Sequence, residues 1–109
     1  MEVHMWDAEL TPRFKKWING LKNRQSRFRI LAKIQEIRIE ETLVGDWKPV
    51  GDGVYELRFP FGPGYRVYFA MFENKLIVLL AGGDKTTQAR DIRAAKQLLR
   101  QRKEHRDED

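Results

Sequence analysis

A chain of 109 residues has room for one domain, and a composition of 41% hydrophobic and 34% charged residues describes a chain with a real core rather than a disordered one. The absence of cysteine excludes disulfides and thiolate zinc sites, and two histidines, His4 and His105, cannot build a histidine-rich metal site within one chain. Net charge is +5, but residues 104–109 hold four acids and one arginine; without them 20 basic and 12 acidic side chains remain, a net of +8 that suits a polyanionic partner.

In chain order, residues 2–5 read as a short strand. Thr11-Pro12 reads as an N-cap followed by proline in the first turn, opening a helix that runs to about Asn19 and stops at Gly20. A longer helix is predicted from about Gln25 to Glu41. Its apolar residues Ile30, Leu31, Ile34 and Ile37 fall at helical spacing, with Arg29, Lys33, Glu36 and Glu40 on the other side. The pattern then changes near Val44. Trp47 and Val50 suggest a strand before the Gly51-Asp52-Gly53 turn. Residues 54–59 alternate, with Tyr55, Leu57 and Phe59 on one side and Val54, Glu56 and Arg58 on the other.

Pro60-Phe61-Gly62-Pro63-Gly64 is a turn cluster, and residues 65–72 form the next strand. Tyr65, Val67, Phe69 and Met71 share one face of it; Arg66, Tyr68 and Ala70 share the other. After Glu73-Asn74, residues 75–81 are apolar on both faces and are expected inside the sheet. Beyond Gly82-Gly83 a last helix is predicted from about Thr86, burying Ile92, Ala95 and Leu99 and carrying a basic face that includes Arg90, Arg93 and Lys96. The order implies an α+β fold: an N-terminal helical hairpin packed on one face of a small antiparallel sheet, β-α-α-β-β-β with a C-terminal helix. Residues 1–103 are read as the single domain and 104–109 as a charged, disordered tail. The first six residues do not form a signal peptide, and the longest apolar stretch, residues 76–81, is too short to cross a bilayer, so a soluble cytoplasmic protein with no membrane contact is expected.

The alternation also places chemistry. Glu56 and Arg58 are two apart and point the same way, as do Arg66 and Tyr68. If their strands pair across the 60–64 turn, one face carries a carboxylate, two guanidiniums and a phenol. Lys85 follows the next strand and can reach the same face beside a helix N-terminus, completing an anion site in which Glu56 is a candidate base. The alternative is a set of cross-strand ion pairs on a wet surface. Gly82-Gly83-Asp84-Lys85-Thr86 lacks the G-x-x-x-x-G-K-[ST] spacing, which rules out a nucleotide phosphate loop. Lys15, Lys16, Lys22, Arg24, Arg27 and Arg29 form a basic cluster on the helical hairpin, either a solvated face or a contact surface for RNA backbone. The tryptophans read as core residues, His4 as a strand residue, and Phe61 as the aromatic most suited to stacking beside the site.

Three blocks carry a family resemblance: residues 47–58 (WKPVGDGVYELR), 62–68 (GPGYRVY) and 80–92 (LAGGDKTTQARDI). In this order they resemble the HigB-like addiction-module killer proteins of the RelE/ParE toxin superfamily, over nearly the whole chain. The resemblance implies a RelE-like fold. It implies the toxin of a type II toxin–antitoxin pair, a ribosome-dependent and metal-independent mRNA endonuclease with no cofactor, acting in the bacterial cytoplasm. The arginine of the Gly-Tyr-Arg block, here Arg66, is the superfamily's phosphate-stabilising position; Glu56 and Arg58 occupy the preceding strand, and Lys85 is the basic residue after the last strand. Relatives place a Tyr or His near the start of the C-terminal segment. Here that stretch reads Thr86-Thr87-Gln88-Ala89-Arg90-Asp91, which leaves Lys85, Asp91 or Tyr68 as candidate acids and Gln88 as a support. The implied partners are a cognate antitoxin, often of helix-turn-helix type, and the ribosome with its mRNA. The same superfamily contains ParE-like gyrase inhibitors, so non-enzymatic inhibition and RNA binding without cleavage are the alternatives.

Overall fold

A computed structural model describes residues 4–107. The elements are β1 (Asp7–Leu10), α1 (Pro12–Asn19), α2 (Arg24–Glu40), β2 (Asp46–Gly51), β3 (Val54–Arg58), β4 (Tyr65–Phe72), β5 (Leu76–Asp84) and α3 (Gln88–Asp107), with one 3₁₀ turn (Lys85–Thr87) leading into α3. The first strand lies later than predicted: His4 and Met5 are not extended into a sheet, Glu2 and Val3 fall outside the described residues, and the strand is Asp7–Leu10.

Both N-terminal helices start on side-chain caps. Thr11 Oγ1 accepts the Phe14 amide at 3.1 Å and donates to the Leu80 carbonyl at 2.7 Å, so the cap of α1 also ties the helix to β5. Asn23 Oδ1 accepts the Ser26 amide at 3.0 Å at the start of α2. The helix ends at Glu41, which adopts a left-handed conformation.

The five strands lie in the order β1-β5-β4-β3-β2. The sheet is mixed, not purely antiparallel: β1 runs parallel to β5 because the whole helical hairpin, β2, β3 and β4 separate them in sequence, whereas β2 to β5 form an antiparallel meander. As expected, β5 is interior, between β1 and β4.

Helices cover both faces of the sheet, which corrects the one-face expectation. Phe14 and Ile18 of α1 and Ile30, Ile34 and Ile37 of α2 pack on Leu57, Val67, Phe69, Ile77 and Leu79. On the other face, Ala95 and Leu99 of α3 pack on Val54, Tyr68, Ala70, Val78 and Leu80. The second core exists because β3, β4 and β5 carry apolar residues at both parities. Leu31, assigned to the buried stripe of α2, is instead 42% exposed. The last helix does not stop near Lys103; helical backbone continues through residues 104–107. Among the described residues, no helix is long and apolar enough to cross a membrane.

A bulge sets the phase of β5. The β4–β5 register jumps from Tyr68↔Ala81 to Phe69↔Leu79, so Leu80 and Ala81 both join the core under α3. Past the bulge, Gly82 faces the hairpin and Gly83 faces α3. A Cβ on Gly82 would stand 2.1 Å from the Trp17 ring, and one on Gly83 1.8 Å from Asp91 Oδ2. The adjacent glycines are therefore where two elements on opposite faces touch the β5 backbone. Gly82→Ala is expected to displace Trp17 and to lower stability by roughly 2–3 kcal/mol. A denaturant midpoint and the tryptophan emission maximum measure the two effects.

Candidate active site

The β3–β4 hairpin brings the sequence-predicted face together. Glu56 pairs with Tyr68 and Arg58 with Arg66 across the strands. Glu56 is fully buried, at 0% exposure. One carboxylate oxygen is fixed: Oε2 accepts from the Tyr68 hydroxyl at 3.0 Å and from Gln88 Nε2 at 2.7 Å. The other, Oε1, has no hydrogen-bond partner and lies 3.9 Å from Arg66 Nε and 4.0 Å from Arg58 Nε. Neither of those Nε atoms has a hydrogen bond of its own. The face is not open as expected: the start of α3 closes one side of it through Gln88.

The two arginines are held from their other ends. Arg58 Nη2 pairs with Asp46 Oδ1 of β2 at 2.8 Å. Arg66 Nη1 donates to the Gly64 carbonyl at 3.0 Å and, less closely, to that of Tyr65. Arg66 is mostly covered and Arg58 about a third exposed, so both reach solvent while the Glu56 carboxylate against which they lie does not. Glu56 and Asp46 thus supply two carboxylates to two guanidiniums.

Tyr68 is completely buried. Burial, then the Glu56 carboxylate beside it and the hydrogen bond to that carboxylate, raise its phenol pKa far above the ordinary value. It is a neutral donor committed to Glu56, a support rather than a proton source.

Lys85 is exposed at the site's rim. The pairing of Tyr65 with Asp84 brings it beside Gly64, where a glycine Cβ would lie 3.4 Å from Lys85 Cβ and 3.5 Å from Arg66 Nη1. Its local backbone is held by Asp84, whose Oδ1 accepts from the Thr86 amide at 2.8 Å and the Thr86 hydroxyl at 2.6 Å. Those bonds, the hydroxyl's first, lower the Asp84 pKa.

Asp91 belongs to a neighbouring cluster rather than to the pocket. It is buried; Oδ2 accepts from Thr87 Oγ1 at 2.5 Å, and Oδ1 lies 3.6 Å from Arg13 and 3.4 Å from Arg90. The hairpin cations Lys15, Lys16, Lys22, Arg24 and Arg29 are exposed and Arg27 half-buried, and they stand apart from Glu56. Arg29 is the exception in reach: its guanidinium lies 3.8 Å over the Phe61 ring, and both line a cleft of about 210 Å³ that Arg58 also lines. Trp6 and Trp17 pack against the core as expected, whereas Trp47 is 39% exposed at the sheet edge against Tyr55. His4 is exposed and lies outside the sheet. Sequence reasoning missed Asp46 and Arg13. No local pattern marks Asp46; only the β2–β3 register, which sets it opposite Arg58, reveals it.

The family model for phage-derived Gp49-like proteins matches residues 16–104. The chain belongs to the Gp49-like family. A Haemophilus influenzae protein of uncharacterized function is 42% identical over 88 residues, 81% of this chain and 87% of its own. Among solved structures, this Gp49-like protein superposes on a mutant of Escherichia coli toxin RelE in the free state with a TM-score of 0.63 at 16% identity, over 82% of this chain and 96% of RelE. A chain of the intact E. coli RelBE toxin–antitoxin complex gives 0.55 at 18% identity, over 72% and 95%. The Gp49-like chain therefore has a RelE-like α+β fold.

Two measurements probe the residues that hold the site in place. Tyr68→Phe leaves Glu56 Oε2 with one donor and is expected to cost about 1–3 kcal/mol of stability in urea unfolding. Asp84→Ala removes a cap and is expected to cost about 1 kcal/mol at neutral pH. Because folding lowers the Asp84 pKa, its contribution is complete above the unfolded carboxylate value of 3.8 and is lost as pH falls through the folded value. Wild type and Asp84→Ala should therefore converge in thermal stability only in strongly acidic buffer.

Proposed function

We propose that this chain is the toxin of a type II, HigB-like toxin–antitoxin pair and that it arrests translation by cutting mRNA on the ribosome without a metal. The observation that carries this reading is the pairing of Arg58 and Arg66 side by side against the buried Glu56 carboxylate, with both Nε donors left without a hydrogen bond and the exposed Lys85 at the same rim. Glu56 and Asp46 balance the two guanidiniums, the Lys85 ammonium is left over, and a phosphodiester fits the forked geometry of the arginines beside it.

The reaction is attack of a ribose 2′-OH on the adjacent phosphate, giving a cyclic phosphate and a free 5′-OH. Arg66 stabilises the charge that builds on the phosphorane, and Arg58 binds the same phosphate. Glu56 Oε1 takes the 2′-OH proton. Arg58 and Arg66 shield that oxygen in the unliganded protein, so their movement onto the phosphate is the step that uncovers it. Tyr68 and Gln88 keep the carboxylate from turning. Lys85, exposed beside Arg66, delivers a proton to the departing 5′ oxygen and takes the place of the Tyr or His found in relatives. The cations of the hairpin supply contacts to ribosomal RNA. The antitoxin, of helix-turn-helix type, covers this basic surface with an acidic segment.

Arg66→Ala is expected to abolish growth arrest on induction and to lower the rate of mRNA cleavage by about 10²–10³-fold, as for loss of one transition-state donor. Circular dichroism would show the helix content unchanged. Primer extension on translated mRNA reads the new 5′ ends. Full toxicity of Arg66→Ala, or a DNA-damage response preceding the loss of translation, would instead favour gyrase inhibition.

A further inference from the structure

The cleft beside Arg58 holds an arginine that the fold does not use. Arg29 of α2 lies with its guanidinium 3.8 Å over the centre of the Phe61 ring. That ring is itself held: Phe59 and Tyr65 meet it at 5.7 and 5.9 Å with steep interplanar angles, and the Gly64 amide donates to the Phe61 carbonyl at 3.2 Å across the turn. Among the described residues Arg29 makes no hydrogen bond or ion pair. The other charges of the cleft are matched: Asp46 takes Arg58 and Glu36 takes Lys33, each at 2.8 Å. Arg29 is thus an exposed, flat cation braced on one face by an aromatic ring, with its donors free. The cleft of about 210 Å³ has room for one planar heterocycle, and Leu57, Phe59 and Phe61 give it apolar walls. Arg58 joins it to the paired arginines: its Nη2 lies on Asp46, which lines the cleft, and its Nε lies 4.0 Å from Glu56 Oε1.

We propose that this cleft receives a nucleobase of the RNA whose phosphate lies on Arg58 and Arg66, stacked on the outer plane of the Arg29 guanidinium. The proposal rests on the phosphodiester reading above and adds a base site to it. Guanidinium planes and aromatic rings are the surfaces on which unpaired RNA bases stack. A guanidinium is also weakly hydrated compared with an ammonium, so covering its face costs little. An acidic side chain would satisfy the Arg29 donors but leave the apolar walls uncovered; a base covers both the plane and the walls. One ribose links base to phosphate, so a single nucleotide can touch the cleft and Arg58 together. A stack reads a π-face rather than a base edge, so all four bases fit and the larger purines bind more tightly.

Nuclear magnetic resonance titrations of the full chain with adenosine 5′-monophosphate, uridine 5′-monophosphate and ribose 5-phosphate, which lacks a base, test this. All three should shift the Nε–H signals of Arg58 and Arg66. The two nucleotides alone should also shift Arg29 Nε–H and the Gly45 and Phe61 amides. Adenosine monophosphate should bind about tenfold more tightly than ribose 5-phosphate, with uridine monophosphate between them. Arg29→Lys keeps the charge and loses the plane, and Phe61→Leu keeps an apolar side chain and loses the bracing ring. Each should reduce the adenosine-to-ribose preference to about twofold or less, with helix content unchanged by circular dichroism. Equal affinity of the wild type for adenosine monophosphate and ribose 5-phosphate, or a preference left intact in either variant, would overturn the base site and leave the phosphate reading standing. No shift at Arg58 or Arg66 with any of the three ligands would overturn both.

Discussion

The buried carboxylate of Glu56 is the constraint around which β3, β4 and the start of α3 are arranged. It sits on β3, takes one hydrogen bond from Tyr68 on β4 and another from Gln88 at the start of α3, and faces arginines from both strands. Burying a carboxylate without donors is expensive, so these bonds are a condition of the fold as much as of the site. Once Oε2 is held, β3, β4 and α3 have one mutual arrangement, and the two guanidiniums have one place to be. The conditions that make the pocket chemically useful also dock the last helix.

The glycine pair on β5 performs the complementary task on the strand next to the hairpin. The bulge before it reverses which residue faces which layer, so one glycine receives the Trp17 ring and the next receives Asp91. Lys85 stands one residue beyond this crossing, on a turn fixed by Asp84. Its place at the rim of the pocket thus depends on two close backbone approaches, one to each helical layer.

What the sequence made legible followed from period and register. Alternation in β3 and β4 was enough to place Glu56, Arg58, Arg66 and Tyr68 on one face, because a hairpin with a short turn leaves few registers, and the structure pairs these four as the alternation requires. The cap at Thr11 and the length of α1 were equally local. The misplaced features are non-local. The parallel pairing of β1 with β5 joins segments about seventy residues apart, and no short-range signal encodes it. The second core under α3 was implicit in Val54 and Ala70, whose face was read as left free for chemistry, and in Val78 and Leu80 of a strand apolar on both faces. Leu31 was taken for core because helical spacing cannot separate two apolar stripes on one helix.

That double-sided helix and the paired arginines share a physical logic. Each is a local arrangement that the fold alone does not require: exposed Phe28 and Ile39 on one surface, two adjacent guanidiniums with unbonded Nε donors on the other. Sequences that specify their folds consistently break local rules chiefly where something else must bind. The two surfaces differ in chemistry: cationic around Arg58, Arg66 and Lys85, apolar along Phe28, Leu31 and Ile39. They are nonetheless close neighbours, because Arg29 lies on the flank of the apolar stripe while its guanidinium rests on Phe61 in the cleft that Arg58 shares.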